Sequence, residues 1–162
     1  MKIEKVVVGS LEENCYVLDI DNKVLVIDPG DEYDKINKII NNREILAVLI
    51  THNHFDHTGA LDDFINIDKY SFDNLEEKEY KIGPFIFEVI FNPGHSSDSV
   101  SYYFKKDNIL FCGDFIFYHN IGRWDLPTGN MREMLNSINE IKKLPKNTII
   151  YPGHGIETSL EE

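Results

Sequence analysis

The chain has 162 residues, a length that fits one domain, residues 1–162, with a core large enough to need no disulfide framework. Its 42% apolar and 27% charged residues exclude a fibrous or disordered chain, and a net charge of −12 opposes phosphate backbones and anionic lipid. A small-molecule substrate is therefore the expected partner, with no nucleic acid and no membrane.

Strand signals come first along the chain. Short runs rich in Val, Ile, Phe and Tyr, ended by turn residues, predict strands at Lys2–Val8, Cys15–Asp19 and Lys23–Asp28. Tyr33, Ile36, Ile39 and Ile40 fall at helical spacing and predict a helix over Glu32–Asn41, with Asp31 as its N-cap. The next strand is Leu46–Thr51. The longest apolar run, Ile45–Ile50, is six residues, far short of a membrane span. A further helix is expected from about Gly59 to Phe64, and the polar, acidic stretch Asp68–Lys81 reads as a loop. Strands follow at Phe85–Asn92, Ser99–Phe104 and Asn108–Gly113, the last two joined by a turn at Lys105–Asn108. The clearest helix is Met131–Leu144, with Asn130 and Glu133 as a capping-box-like pair. Thr148–Tyr151 is the last strand. Strands interspersed with helices give a mixed α/β domain.

The residues after the strands carry the chemistry. Lys23–Asp28 ends at Asp28-Pro29-Gly30. Leu46–Thr51 runs into His52-Asn53-His54-Phe55-Asp56-His57. The later strands end at Pro93-Gly94-His95, at Asp114 and at Pro152-Gly153-His154. Five of the six histidines sit in this set. Neutral imidazole and carboxylate are ligands of borderline divalent metals, above all zinc. His52, His54, Asp56, His57, His95, Asp114 and His154 make seven candidate ligands. That is too many for one tetrahedral ion and suits two divalent ions sharing a bridging carboxylate. Zinc is the expected metal, with iron and manganese compatible with the same ligands.

The run HNHFDH, followed by PGH at His95, GD at Asp114 and PGH at His154, resembles the metallo-β-lactamase-fold hydrolase superfamily over nearly the whole chain. The resemblance implies a four-layer αββα sandwich with the metal site at one edge. It also implies roles. His52, His54 and His95 would hold one metal, Asp56, His57 and His154 the other, and Asp114 would bridge them. Asp28 would support the site from behind the ligands. Asn14-Cys15-Tyr16 matches a recurrent strand motif of the family. The segment Gly122-Arg123-Trp124-Asp125-Leu126-Pro127 is similar to that of glyoxalase II-like hydrolases. The implied reaction is hydrolysis of a thioester such as an S-acyl glutathione by a metal-bridging hydroxide, with Asp56 and Asp114 as catalytic residues. A mono-iron sulfur (persulfide) dioxygenase and a lactone or phosphodiester hydrolase are the alternatives on the same fold.

Tyr118, His119 and Arg123 follow the bridging aspartate and are candidate substrate contacts. Cys112 reads as a small buried apolar residue, on the same side of its strand as Asp114, and Cys15 likewise. The chain is shorter than typical members, so a trimmed helical layer is expected, with self-association available to cover exposed sheet surface. The opening MKIEKVVVGSLEEN has no apolar signal stretch and there are two cysteines, which together suggest a cytoplasmic setting.

Overall fold

Alternation within the strands decides the layers. In a computed structural model describing residues 1–162, β1 (Lys2–Val8), β2 (Glu13–Ile20), β3 (Lys23–Ile27), β4 (Glu44–Leu49) and β5 (Lys69–Tyr70) form one sheet in that order. Tyr16, Leu18, Leu25, Ile27, Ala47 and Leu49 point to its inner face. Cys15, Val17, Val24, Val26, Val48 and Ile50 point to its outer face, under α1 (Tyr33–Ile40). Both faces are buried, which is why β2, β3 and β4 read as continuous apolar runs.

The second half of the chain supplies β6 (Glu79–Ile82), β7 (Phe85–Phe91), β8 (Val100–Phe104) and β9 (Ile109–Gly113). A small ribbon, β10 (Ile116–Phe117) and β11 (Asn120–Ile121), comes before α3 (Met131–Ile141), and β12 (Ile149–Pro152) and β13 (Thr158–Ser159) close the chain. The second sheet has the order β13-β12-β9-β8-β7-β6. Phe85, Phe87, Val89, Tyr102, Phe104 and Phe111 face the first sheet and complete the central core. Each such side chain contributes about 1.5–3 kcal/mol on burial. Leu110, Cys112 and Ile150 face outward and meet Met134 and Ile141 of α3. The result is the four-layer αββα arrangement. The outer helical layer is thin, as expected: α3 covers β9 and β12, while Ile86 on β7 is half exposed.

Strand direction positions the site. β3 and β4 are parallel. β7 and β8 are antiparallel, β8 and β9 antiparallel, and β9 and β12 parallel, so β7, β9 and β12 share a direction. The carboxyl ends of these five strands meet at one edge of the sandwich, where α/β folds present functional loops.

Several local expectations are corrected. Asp31 does not cap α1: its Oδ1 accepts the N–H of Glu32 at 2.7 Å, and Glu32 itself occupies the cap position in a left-handed conformation. The helical turn expected over Gly59–Phe64 is split. A short α2 (Phe55–Thr58) comes earlier, and a 3-10 turn covers Leu61–Asp63. Asp68–Lys81 is not all loop, because β5 and part of β6 lie within it, β6 paired with β7. α3 stops at Ile141, and Asn130 Oδ1 accepts the Glu133 N–H at 3.1 Å.

Candidate metal centre

The loop after β4 carries four of the seven candidates. His52 is buried, His54 follows it, and Asp56 and His57 lie on α2. That turn is pressed against the Pro29-Gly30 bend. A side chain at Gly30 would sit 1.8 Å from the Asp56 carbonyl oxygen, so only glycine lets the two segments approach. His95 follows β7, Asp114 follows β9 and His154 follows β12.

These side chains converge in two groups. One ligand atom each from His52, His54 and His95 lie within 4.8 Å of one another, and the same holds for Asp56, His57, Asp114 and His154. Asp114 stands between them. Its Oδ1 is 3.2 Å from His57 Nε2, and its Oδ2 is 3.6 Å from His95 Nε2 and 3.5 Å from His154 Nε2.

Four of the five imidazoles are fixed from their far side, which selects the nitrogen that faces the centre, while His54 Nδ1 lies 3.0 Å from His95 Nε2. Thr51 Oγ1 donates to Asp28 Oδ2 at 2.6 Å and can accept from His52 Nδ1 at 3.0 Å. His57 Nδ1 donates to the same Asp28 oxygen at 2.9 Å, and the Thr51 N–H fills Asp28 Oδ1 at 2.7 Å. Asp28 is thus saturated by donors and orients ligands rather than joining them. His95 Nδ1 donates to the Arg123 carbonyl at 2.7 Å. His154 Nδ1 donates to the Leu11 carbonyl at 3.0 Å. The motif around Asn14 holds the His154 loop in turn. Asn14 Nδ2 donates to the carbonyls of Pro152 and Gly155, both at 3.0 Å, and Tyr16 Oη donates to Pro152 at 2.6 Å.

Several atoms that face the centre make no aligned hydrogen bond, although His57 Nε2 and Asp114 Oδ1 lie 3.2 Å apart. His52 Nε2, His57 Nε2 and Asp114 Oδ1 are buried without a hydrogen-bond partner. Each such atom costs about 1–3 kcal/mol unless something satisfies it. Three of them aimed at one place, in a His/Asp donor set, fit divalent metal ions.

The electrostatics have the same sense. Burial and repulsion from His57 lower the His52 pKa well below the usual imidazole value. Burial also lowers that of His95. For His57 burial opposes protonation, but Asp114 and Asp28 outweigh it and the pKa rises. Burial likewise opposes the His154 cation, and Asp114 and Asp56 raise its pKa to about 10. The Asp114 carboxyl is held far below the ordinary range against its own burial, by His154 and His57. Without metal, the raised pKa values of His57 and His154 favour imidazolium forms that offset part of the charge of Asp28, Asp56 and Asp114; metal binding displaces those protons.

One buried acid escapes sequence inspection. Glu13, at the start of β2, is 1% exposed, and neither carboxylate oxygen has a hydrogen-bond partner. Its Oε1 lies 3.6 Å from His57 Nδ1. Burial, together with Asp28, Asp56 and Asp114, pushes its pKa to about 10 in spite of the His57 charge. Its position on a strand amid acidic surface residues gave no signal. Only pairing of β2 with the His154 loop turns it inward.

The centre floors a cleft of about 1280 Å³. Tyr118 and Arg123 are among the residues that line it. His119 is not: it is exposed, in a left-handed conformation, with its ring against Tyr118. The Arg123 guanidinium is paired in two places with Asp125, at 3.0 and 3.1 Å. The firmer contribution of Arg123 is its backbone. Neighbouring Gly122 permits it, because a side chain there would lie 1.7 Å from the Asp114 carbonyl oxygen. Cys112 packs under α3 beside Met134 and lies outside the cleft lining, and burial pushes its thiol up to about 12.

The model of the metallo-beta-lactamase superfamily matches residues 8–71 and 65–154. The chain belongs to this superfamily. Among relatives of this chain, the probable metallo-hydrolase YqgX of Bacillus subtilis is 37% identical, over 99% of this chain and 93% of its own. The hydroxyacylglutathione hydrolase GloC of Haemophilus influenzae is 28% identical over 99% and 93%. Among solved structures, the BLEG-1 B3 metallo-beta-lactamase superposes with a TM-score of 0.92 at 33% identity, covering 99% of this chain and 95% of that one. TTHA1623 in a di-iron-bound form gives 0.88 at 30%, covering 98% and 95%.

Proposed function

We propose that the chain is a dinuclear metallohydrolase that cleaves thioesters. The observation that carries the reading is the set of buried, unpartnered atoms of His52, His57 and Asp114, converging under an open cleft. His52, His54 and His95 would hold one ion and Asp56, His57 and His154 the other, with Asp114 between them. Zinc suits the set, and iron or manganese would also fit it. Such ions would lower the pKa of a water to near neutrality and polarise the scissile carbonyl.

The chain's own residues do the rest. Asp28 and Thr51 keep His52 and His57 in one tautomer, so their Nε2 lone pairs stay on the centre. Asp56, partly exposed at the cleft floor and 3.1 Å from His154, is placed to orient the attacking water. Leu11, Phe55 and Ile156 give the cleft apolar walls for an acyl group. Attack forms the C–O bond, the C–S bond breaks, and the products are a carboxylate and a thiol. The thioester assignment draws its support from the hydroxyacylglutathione hydrolase relative at full length.

The test is a substrate panel on one sample, chelator-stripped and then reloaded with zinc, iron or manganese. Thiol release from an S-acyl thioester is expected only with metal, ahead of lactone, β-lactam and phosphodiester. No release above the stripped blank, with oxygen uptake on glutathione persulfide, would establish the dioxygenase instead.

A further inference from the structure

The charges around the cleft are one-sided. Asp56 and Asp114 belong to the metal centre, which leaves Asp73, Asp98 and Arg123 as the remaining formally charged lining residues. Arg123 is the sole lysine or arginine there, and Asp125 already engages its guanidinium through both oxygens. Asp98 is anchored: its Oδ2 accepts from the N–H and the Nδ2 of Asn53, both at 2.9 Å. The Asp73 carboxylate is free, since only its backbone N–H bonds, to Ser71. Between these charges the mouth is apolar. Phe55 is 75% exposed, Ile156 56% and Leu11 52%, unusually open for such large side chains. Deeper in the cleft, Asp28, Asp56 and Asp114 offset most of the charge of two divalent ions, so the acids of the rim set the field that a substrate tail meets.

We infer that the thiol half of the substrate is uncharged or cationic, and that thiols carrying net negative charge, glutathione among them, are discriminated against at this cleft. The inference rests on the thioesterase reading for its chemistry, and on the rim for its sign. Glutathione brings two carboxylates and one ammonium. Its two carboxylates would face Asp73 and Asp98, with one cation, Arg123, already shared with Asp125, to receive them. A neutral or quaternary-ammonium thiol with an apolar acyl chain meets apolar walls and a negative rim, and loses nothing there.

Binding and turnover separate the two readings. Three hexyl thioethers, of thiocholine, N-acetylcysteamine and glutathione, are titrated by calorimetry into the zinc-loaded protein. The quaternary ammonium cannot ligate zinc, so it reports charge alone. At about 20 mM salt the thiocholine ether is expected to bind at least roughly tenfold more tightly than the glutathione ether, with the neutral ether between them. Raising salt to about 500 mM should shrink that ratio to below about threefold as the screening length falls. Asp73→Asn should cut the low-salt ratio by about half. A glutathione ether that binds as tightly as the thiocholine ether, a ratio unmoved by salt, or no binding of any of the three overturns the inference. The matching hexanoyl thioesters are then assayed. If the binding order holds but none is hydrolysed, the charge preference stands and the thioesterase reading falls.

Discussion

Asp28 serves two histidines at once, His57 directly and His52 through Thr51. Glu13 brings its Oε1 to 3.6 Å from the same His57 Nδ1. Its raised pKa has a defined consequence for stability. The unfolded glutamate releases its proton near 4.5, while the folded one holds it to about 10. Between those values the folded state binds more protons, so stability falls as pH rises. His57 and His154, also raised, work in the same direction: their contribution is full below the unfolded imidazole pKa and is lost as pH climbs through the folded one. Glu13→Gln removes one of these slopes and leaves the histidine slopes in place. Urea unfolding of the metal-free protein from pH 6 to 9 should show a smaller loss of midpoint in Glu13→Gln than in the wild type. Equal losses would mean that Glu13 is ionised in the fold.

Among the elements, α1 is secured by an arginine beyond its end. Arg43 Nε and Nη2 donate to the carbonyls of Ile40 and Ile39, at 2.8 and 2.7 Å. The same guanidinium reaches Asp19 on β2 and Glu4 on β1, both at 2.7 Å. It therefore closes the helix and staples it to the sheet. Arg43→Ala should cost roughly 2–3 kcal/mol in chemical denaturation, because partly buried partners are left unpaired. Arg123→Ala, at an exposed pair, should leave the midpoint unchanged within error. The Glu4 carboxyl is held below its ordinary value by Arg43 and Lys2 against partial burial. The part of the Arg43 contribution that runs through Glu4 is thus full above the unfolded glutamate pKa and disappears as pH falls below it. Legibility of the elements follows burial. β2, β3, β4 and β9 are buried on both faces and announce themselves as apolar runs. β5, β10, β11 and β13 are two residues each, and β6 is a half-exposed edge strand. All but β5 pair with near neighbours in the chain, yet two-residue strands and a half-exposed edge are too short or too mixed to show a readable alternation.

For the molecule as a whole, the decisive feature is that five strand ends meet at one edge. The sequence shows each end carrying a His or Asp, because the ligand chemistry is local to each motif. The supports behind the ligands were partly hidden. Asp28 stood out through its Pro-Gly turn, while Thr51, the Arg123 carbonyl and Glu13 become visible only when separate strands are brought together. The same convergence makes the central claim countable. Metal should be quantified per chain, by elemental analysis after zinc loading and exhaustive dialysis, for the wild type and His54→Ala. Two zinc ions per chain are expected for the wild type and fewer in the variant, with thioester turnover lost alongside. A wild type that retains none or one, or a His54→Ala protein with full metal content and full turnover, would contradict the dinuclear centre.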